Sequence, residues 1–192
     1  MNHEIVKIIF LYKKVLFPSC TIDVHLKHSS FSDDLKKGDK ILAFPIKNLF
    51  DIILVKMHVA TLAEIMEIKS DNEKIVLHLK GIARSRIKKF KGIHEVFFKI
   101  SNPQINNSDQ ELLKELRKKT QELVFLINVQ ESDKLIELMN FIVELNQITD
   151  FIANYFILDY KLKIKLLNNT DIKSRSNKLL IKLNQIIKKM EL

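Results

Sequence analysis

The stretch VFFKISNPQINNSDQELL, residues 96–113, decides the fold, because the spacing of its apolar residues changes part-way along it. Before Pro103, apolar residues occupy every second position, which is the period of a strand with one buried face. After it, Ser108 and Glu111 stand three residues apart, as in the capping box that opens a helix. The change from strand to helix is therefore predicted between residues 101 and 108.

On the N-terminal side of this boundary, alternating apolar residues and frequent β-branched residues predict strands. The pattern is clearest at residues 6–10, 22–27, 75–80 and 96–100, and a further strand is predicted at Lys40–Pro45. One short helix is expected between them, with Ser32 as its N-cap and Gly38 available to end it. This half is predicted to be a sheet or a small barrel.

On the C-terminal side, apolar residues recur at helical spacing. Helices are predicted to begin near Ser108, Ser132, Thr149, Asp159 and Thr170 or Asp171. Because the strands precede the helices and do not alternate with them, the predicted fold class is α+β. The predicted division is a β-rich subdomain at 1–103 and a helical bundle at 104–192.

Composition bounds the kind of protein this is. The 192 residues are 46% hydrophobic and 29% charged, as in a chain that folds into a globular protein. No apolar run approaches the roughly 18 residues of a membrane span, and the N-terminus lacks a signal-peptide pattern. The single cysteine, Cys20, cannot form an intramolecular disulfide. We therefore expect a cytoplasmic protein.

The net charge of +9 could attract nucleic acid, an anionic membrane or an acidic protein. Charge alone does not choose among these partners, and a lysine-rich surface also serves solubility alone. Metal chemistry is not expected. Cys20, His25 and His28 are close in sequence, but no fourth zinc ligand is evident, so the histidines are interpreted as surface imidazoles.

Three segments together resemble the N-terminal substrate-recognition domain of Lon proteases. They are Val15–Pro18, Val59–Ile65, and Leu79–Ile87 with Gly81, Arg84, Arg86 and Ile87. They occur in the order and near the spacing of that family. In the helical half, Leu166-Leu167, Asp171-Ile172 and Arg175 resemble the entry to the family's last helix. The resemblance therefore extends over essentially the whole chain.

Four positions depart from the family pattern. Ser19 and Ala60 stand where glycine is usual, Asp23 where proline is common, and Ser176 where leucine is usual. The departures concern the first turn and the packing near Arg175.

The resemblance implies a PUA-like pseudo-barrel joined to a helical bundle, and a role in recognising protein substrates. In the full protease, ATP hydrolysis and a Ser-Lys dyad belong to later domains. Nothing here resembles that dyad, and the glycines do not have the spacing of a phosphate-binding loop. We therefore expect a non-enzymatic domain without cofactor or metal. Whether it stands alone or is part of a longer protease, and its oligomeric state, stay open.

The implied partners are unfolded or hydrophobic polypeptides and an ATP-dependent protease. Leu49 and Phe50 lie in an apolar stretch, at the portion predicted to be a loop, where an exposed patch would hold such segments. Lys27, His28 and Phe31, after the second strand, are predicted to line the edge of a groove.

Two alternatives to this function remain. A basic run could bind RNA, with phosphates neutralised by its cations and a base stacked on Phe90. Its cations are Lys80, Arg84, Arg86, Lys88, Lys89 and Lys91. The same run is also typical of an exposed basic edge strand, whose lysines discourage aggregation. The other alternative is a structural adaptor that binds one folded partner or itself.

Overall fold

A computed structural model describes residues 4–52, 59–71, 74–90, 95–100, 109–127 and 132–191. The strands are β1 (Glu4–Tyr12), β2 (Thr21–Lys27), β3 (Lys40–Ile46), β4 (Val59–Ser70), β5 (Lys74–Phe90) and β6 (Glu95–Ile100). The helices are α1 (Ser30–Asp33), α2 (Asp109–Ile127), α3 (Ser132–Phe141), α4 (Leu145–Tyr155), α5 (Tyr160–Asn168) and α6 (Ile172–Met190), with a 3-10 turn at Leu49–Ile52. The α+β class is confirmed.

The chain forms two compact units. The first comprises Met1–Asn102 and Leu158–Asn168, and the second Pro103–Ile157 and Asn169–Leu192. Helix α5 therefore belongs to the unit that contains the strands. The division into domains at residue 103 stays a prediction. No described helix has both the length and the apolar character needed to cross a bilayer.

The strands of the first unit close into a barrel. β1 pairs in parallel with β3 and antiparallel with β6, and β3, β4 and β5 follow one another in antiparallel order. The 17-residue β5 closes the ring, because its C-terminal half pairs with β6. Its N-terminal half pairs with β2, which stays outside the ring. The predicted pseudo-barrel is therefore present, and long β5 is the strand that makes closure possible.

The barrel is filled by apolar side chains that alternate along its strands. The buried cluster contains Ile8, Leu42, Phe44, Ile46, Ala60, Leu62, Ile87, Val96 and Phe98. Phe10 packs at its margin, with its ring edge-on to Phe44. The interior is thus a packed core and leaves the outer surface of the barrel for binding.

Several helix starts were predicted correctly. Helix α3 begins at Ser132, and the Asp159 and Asp171 carboxylates accept hydrogen bonds from backbone N–H groups of α5 and α6. Helix α2 begins by Asp109, although its predicted cap, Ser108, lies outside the described residues.

Two predicted starts are wrong. Ser32 is not the N-cap of α1: Ser29 is, and Ser32 lies three residues on, where the two form a reciprocal capping box. Helix α4 begins at Leu145 and not near Thr149, because its buried stripe already includes Leu145 and Ile148. Its N-cap, Glu144, makes no side-chain cap hydrogen bond, so no polar signal marked this start.

The segments that resemble the Lon family meet around Gly81. The Ser19 N–H donates to the Gly81 carbonyl at 2.9 Å, and the Gly81 N–H donates to the Cys20 carbonyl at 2.8 Å. The Thr61 hydroxyl donates to the buried Leu16 carbonyl at 2.6 Å. A Cβ on residue 81 would lie 2.3 Å from the Phe17 carbonyl oxygen, so only glycine fits against this turn.

We expect Gly81→Ala to destabilise the protein by about 1–3 kcal/mol, because the added methyl group overlaps backbone that cannot rotate away. Chemical denaturation measures the free energy of unfolding. Ile82→Ala is the control, since Ile82 is the exposed neighbour on the same strand. A Gly81→Ala variant as stable as the wild type would show that the close approach to Phe17 is not a constraint.

In the second unit, the side chain of Arg175 on α6 is fully buried and hydrogen bonded at each of its nitrogens. Its Nε donates to the Thr149 hydroxyl at 3.1 Å, and Nη1 donates to the Asn169 carbonyl at 2.8 Å. Nη2 donates to the Asn146 side-chain oxygen. The buried Asp150 carboxylate, 3.7 Å from Nε, supplies the opposite charge. This network fixes α4 against α6.

Arg175→Met is expected to cost about 3–5 kcal/mol of unfolding free energy, because it leaves the Asp150 charge and the polar groups of α4 buried without their partner. Thermal or chemical denaturation monitored by circular dichroism provides the measurement. The matched control is Lys173→Ala, an exposed cation two residues away on the same helix. Equal losses in the two variants would contradict the role given to the network.

Candidate functional site

The residues predicted to line a groove edge lie where β2 passes into α1. Lys27 ends β2 and is exposed. Phe31, in α1, is partly buried, with the Lys7 ammonium 5.6 Å from the centre of its ring. His28 lies between them and makes hydrogen bonds in two directions. The three residues therefore share one surface, held against β1 through Phe31.

His28 connects this surface to the turn between β4 and β5. Its Nδ1 lies 3.0 Å from an Asp33 carboxylate oxygen, and its Nε2 lies 2.8 Å from the Asp71 carbonyl oxygen. Both partners only accept hydrogen bonds, so both contacts are made together only when both ring nitrogens carry protons. The Asp71 carbonyl first, and then the Asp33 carboxylate, raise the pKa of His28 above its usual 6.5. The protonated His28 side chain can therefore hydrogen bond both to Asp33 in α1 and to Asp71 just after β4.

The second predicted contact lies on the 3-10 turn after β3. The Asp51 carboxylate accepts hydrogen bonds from the backbone N–H groups of Lys47 and Asn48, which fixes the turn. Phe50 is consequently held outward with 77% of its surface exposed. Leu49 lies on the same turn, and its side chain is outside the described part of the structure.

Two further apolar residues described in this unit, each more than half exposed, were missed in the sequence. Tyr12 is the β1 partner of Ile46, at the end of β3 from which the turn leaves, and it is 61% exposed. Leu158 is 93% exposed and precedes Tyr160, whose pKa rises to about 12 through burial and the nearby charge of Asp51. Alternation along β1 marks Tyr12 as outward-facing, but only the strand pairing brings it near the turn.

The two predicted groups are not brought together. The α1 residues precede β3 and Phe50 follows it, so the seven residues of β3 separate them. At the rise of an extended strand this is roughly 20 Å. The structure therefore has two surfaces, one at Lys27–Phe31 and one around Phe50, and not one groove lined by both.

The basic run lies on β5 but does not form one surface. Lys80, Arg86, Lys88 and Lys89 are exposed. Arg84 is buried at 5% exposure, and its Nε donates to the Leu167 carbonyl of α5 at 3.1 Å. The prediction that Arg84 belongs to an exposed basic surface is wrong, because its guanidinium is buried and hydrogen bonded within the first unit. Lys91 and the side chain of Phe90 lie outside the described residues.

No metal site forms in the part of the chain that is described, where no three His, Cys, Asp or Glu side chains converge. Cys20 is buried, whereas His25 faces solvent. A shallow depression of about 240 Å³ is lined by Asp23, Glu67, Lys69, Val76 and His78. In it Nδ1 of His78 lies 2.7 Å from an Asp23 carboxylate oxygen, and this hydrogen bond lowers the pKa of Asp23. The pair links β2 to β5 on the solvent side.

The family described as the ATP-dependent protease La (LON) substrate-binding domain matches residues 5–185. The chain belongs to this family. Its fold is similar to that of the N-terminal domain of the Mycobacterium avium complex Lon protease, with a TM-score of 0.75 and 14% identity over 94% of this chain and 98% of that one. No curated protein matches the sequence.

A Lon N-terminal domain protein from Xanthomonas campestris is also similar, with a TM-score of 0.60 and 15% identity over 93% of this chain and 98% of that one. Identities this low show a shared fold alone. The resemblance to Lon N-terminal domains is confirmed, and a substrate-recognition domain is the function that family membership supports. The RNA-binding alternative gains no support from these matches.

We expect the His28 imidazole to titrate above pH 6.5, and Asp33→Asn to lower its pKa by removing a charged acceptor. Because the folded-state pKa is raised, His28 stabilises the fold most at low pH, and this stabilisation is lost as pH rises through its folded-state pKa. NMR titration of the imidazole signals measures the pKa. Asp34→Asn, at the exposed carboxylate next to Asp33, is the matched control. An unchanged His28 pKa in Asp33→Asn would contradict this account.

Proposed function

We propose that this LON substrate-binding domain holds unfolded or hydrophobic polypeptide segments as substrates for an ATP-dependent protease. The observation that carries the proposal is the outward position of Phe50 on a turn fixed by Asp51. When a solvent-exposed aromatic ring packs against an apolar segment of a client, the free energy falls, because apolar surface is removed from water. The domain itself contributes binding and no catalytic residue.

Besides Phe50, the exposed Tyr12 and Leu158 add apolar area in the same unit. Apolar contacts have little directionality, so many client sequences satisfy them and each binds weakly. The Lys27–Phe31 surface is the second proposed contact. Its mixture of cation, imidazole and aromatic ring suits the polar and aromatic side chains of an unfolded segment.

We place the protein in the cytoplasm, where its lone cysteine would remain reduced. Its partner there is an ATP-dependent protease, whether joined in one chain or separate.

We expect Phe50→Ser to weaken binding of an unfolded protein, reduced and carboxymethylated α-lactalbumin, by about 1–2 kcal/mol, or roughly five- to thirtyfold in Kd. In the wild type, NMR titration should perturb signals of Leu49, Phe50 and Phe31. Fluorescence anisotropy of the labelled client gives the Kd.

The matched control for this experiment is Phe125→Ser, which removes an aromatic ring that is 70% exposed in the other unit. If the affinity for the client falls equally in both variants, the client binds any exposed apolar side chain and not the Phe50 surface in particular. If millimolar client perturbs none of the three residues, the proposed function is wrong.

A further inference from the structure

Strand β2 has one edge that no described strand covers. It pairs with β5 along its whole length and stands at the end of the strand order, outside the closed ring. A strand edge carries backbone N–H and C=O groups that form hydrogen bonds with any extended chain. Only alternate residues of β2 direct these groups outward.

The register of β2 with β5 identifies the residues that face outward. In an antiparallel pair, alternate residues direct both backbone groups at the partner, and the residues between them direct both groups away. The Cys20 carbonyl accepts from the Gly81 N–H, so Cys20 faces β5. The same register continues through Thr21↔Lys80 to Lys27↔Lys74. Ile22, Val24 and Leu26 therefore bond to β5, and Thr21, Asp23, His25 and Lys27 face outward.

Two side-chain hydrogen bonds agree with this assignment. The Lys14 ammonium donates to the Asp23 carbonyl at 3.0 Å, and the Ser32 hydroxyl donates to the Lys27 carbonyl at 3.0 Å. Both carbonyls belong to the outward set. Ser32 is buried and closes the Lys27 end, whereas Lys14 and Asp23 are exposed. Lys14 is thus a covering group that water or another donor can replace.

We propose that the outer edge of β2, from Thr21 to His25, binds an extended segment of an unfolded polypeptide as an added strand, displacing Lys14 from the Asp23 carbonyl. This inference rests on the proposed function and specifies how a client is held. The segment bonds through its backbone, which every polypeptide possesses, so the edge accepts clients irrespective of their side chains.

An unfolded client suits this edge better than a folded protein does. The uncovered strip is short, since Ser32 ends it at Lys27, and folded proteins pair or blunt their own strand edges. An unfolded chain offers unpaired backbone along its whole length. The side chains that flank the strip, Thr21, Asp23 and His25, are small or polar and exposed, so no pocket restricts the incoming residues.

The test is residue-resolved hydrogen exchange on the whole chain, with and without saturating reduced and carboxymethylated α-lactalbumin. The amides of Asp23 and His25 should exchange quickly in the free protein and about tenfold or more slowly with the client. The amides of Val24 and Leu26 should be protected in both states, because they already bond to β5. The proposal predicts this alternation along one strand.

Lys14→Ala provides a second, independent measurement. A client competes with the Lys14 ammonium for the Asp23 carbonyl. Removing the ammonium should therefore lower the Kd for the client about two- to fivefold. Lys36→Ala, which removes the same charge from an exposed residue elsewhere, should leave Kd unchanged or raise it. If cations merely attract the client, both variants should weaken binding.

The outcomes separate the two proposals. Client binding with alternating protection supports the added strand. Client binding without protection at Asp23 and His25 overturns it and leaves the proposed function standing. No client binding overturns both. Protection that rises with the concentration of the protein alone would assign the edge to a second copy of the chain and also overturn the inference.

Discussion

The close approach of the 15–20 turn to β5 at Gly81 is the constraint on which the first unit depends. The absence of a side chain at Gly81 lets the Phe17 carbonyl lie against the strand. The Ser19 and Cys20 backbone then bonds to Gly81 and sets the register in which β2 pairs with β5. That register decides which β2 groups bond to β5 and which face outward. One steric requirement thus positions the strand and its outer edge.

Ser19 illustrates what this turn tolerates. It has a φ of +62°, a left-handed conformation that glycine adopts without strain and that serine adopts at a cost. It also stands where the Lon family usually has glycine. The two hydrogen bonds to Gly81 stabilise the turn enough for serine to occupy that position. Serine at this position therefore adds local strain to a turn that the hydrogen bonds to Gly81 hold in place.

The sequence predicted the order of strands and helices because periodicity is a local property, readable without knowing the neighbours. It did not predict the role of Arg84, since a basic run looks the same whether a cation faces solvent or a helix end. The Leu167 carbonyl, which accepts a hydrogen bond from Arg84, is 83 residues away in the sequence. The Ser32 error has a different cause: Ser29, Ser30 and Ser32 can all act as caps, and only geometry selects Ser29. The spatial separation of Phe31 from Phe50 likewise could not be predicted without knowing that β3 runs between them.

A domain that serves many clients faces a physical conflict, because contacts strong enough to hold one sequence exclude others. The proposed Phe50 surface and the proposed edge of β2 would resolve it in different ways. The Phe50 surface would select segments by their apolar content, and the β2 edge would bind any segment whose backbone is unpaired. A long unfolded chain can engage both, so that the second contact forms at the high effective concentration set by the first. Each contact can then stay weak and reversible, while a folded protein, which offers neither feature, is left unbound.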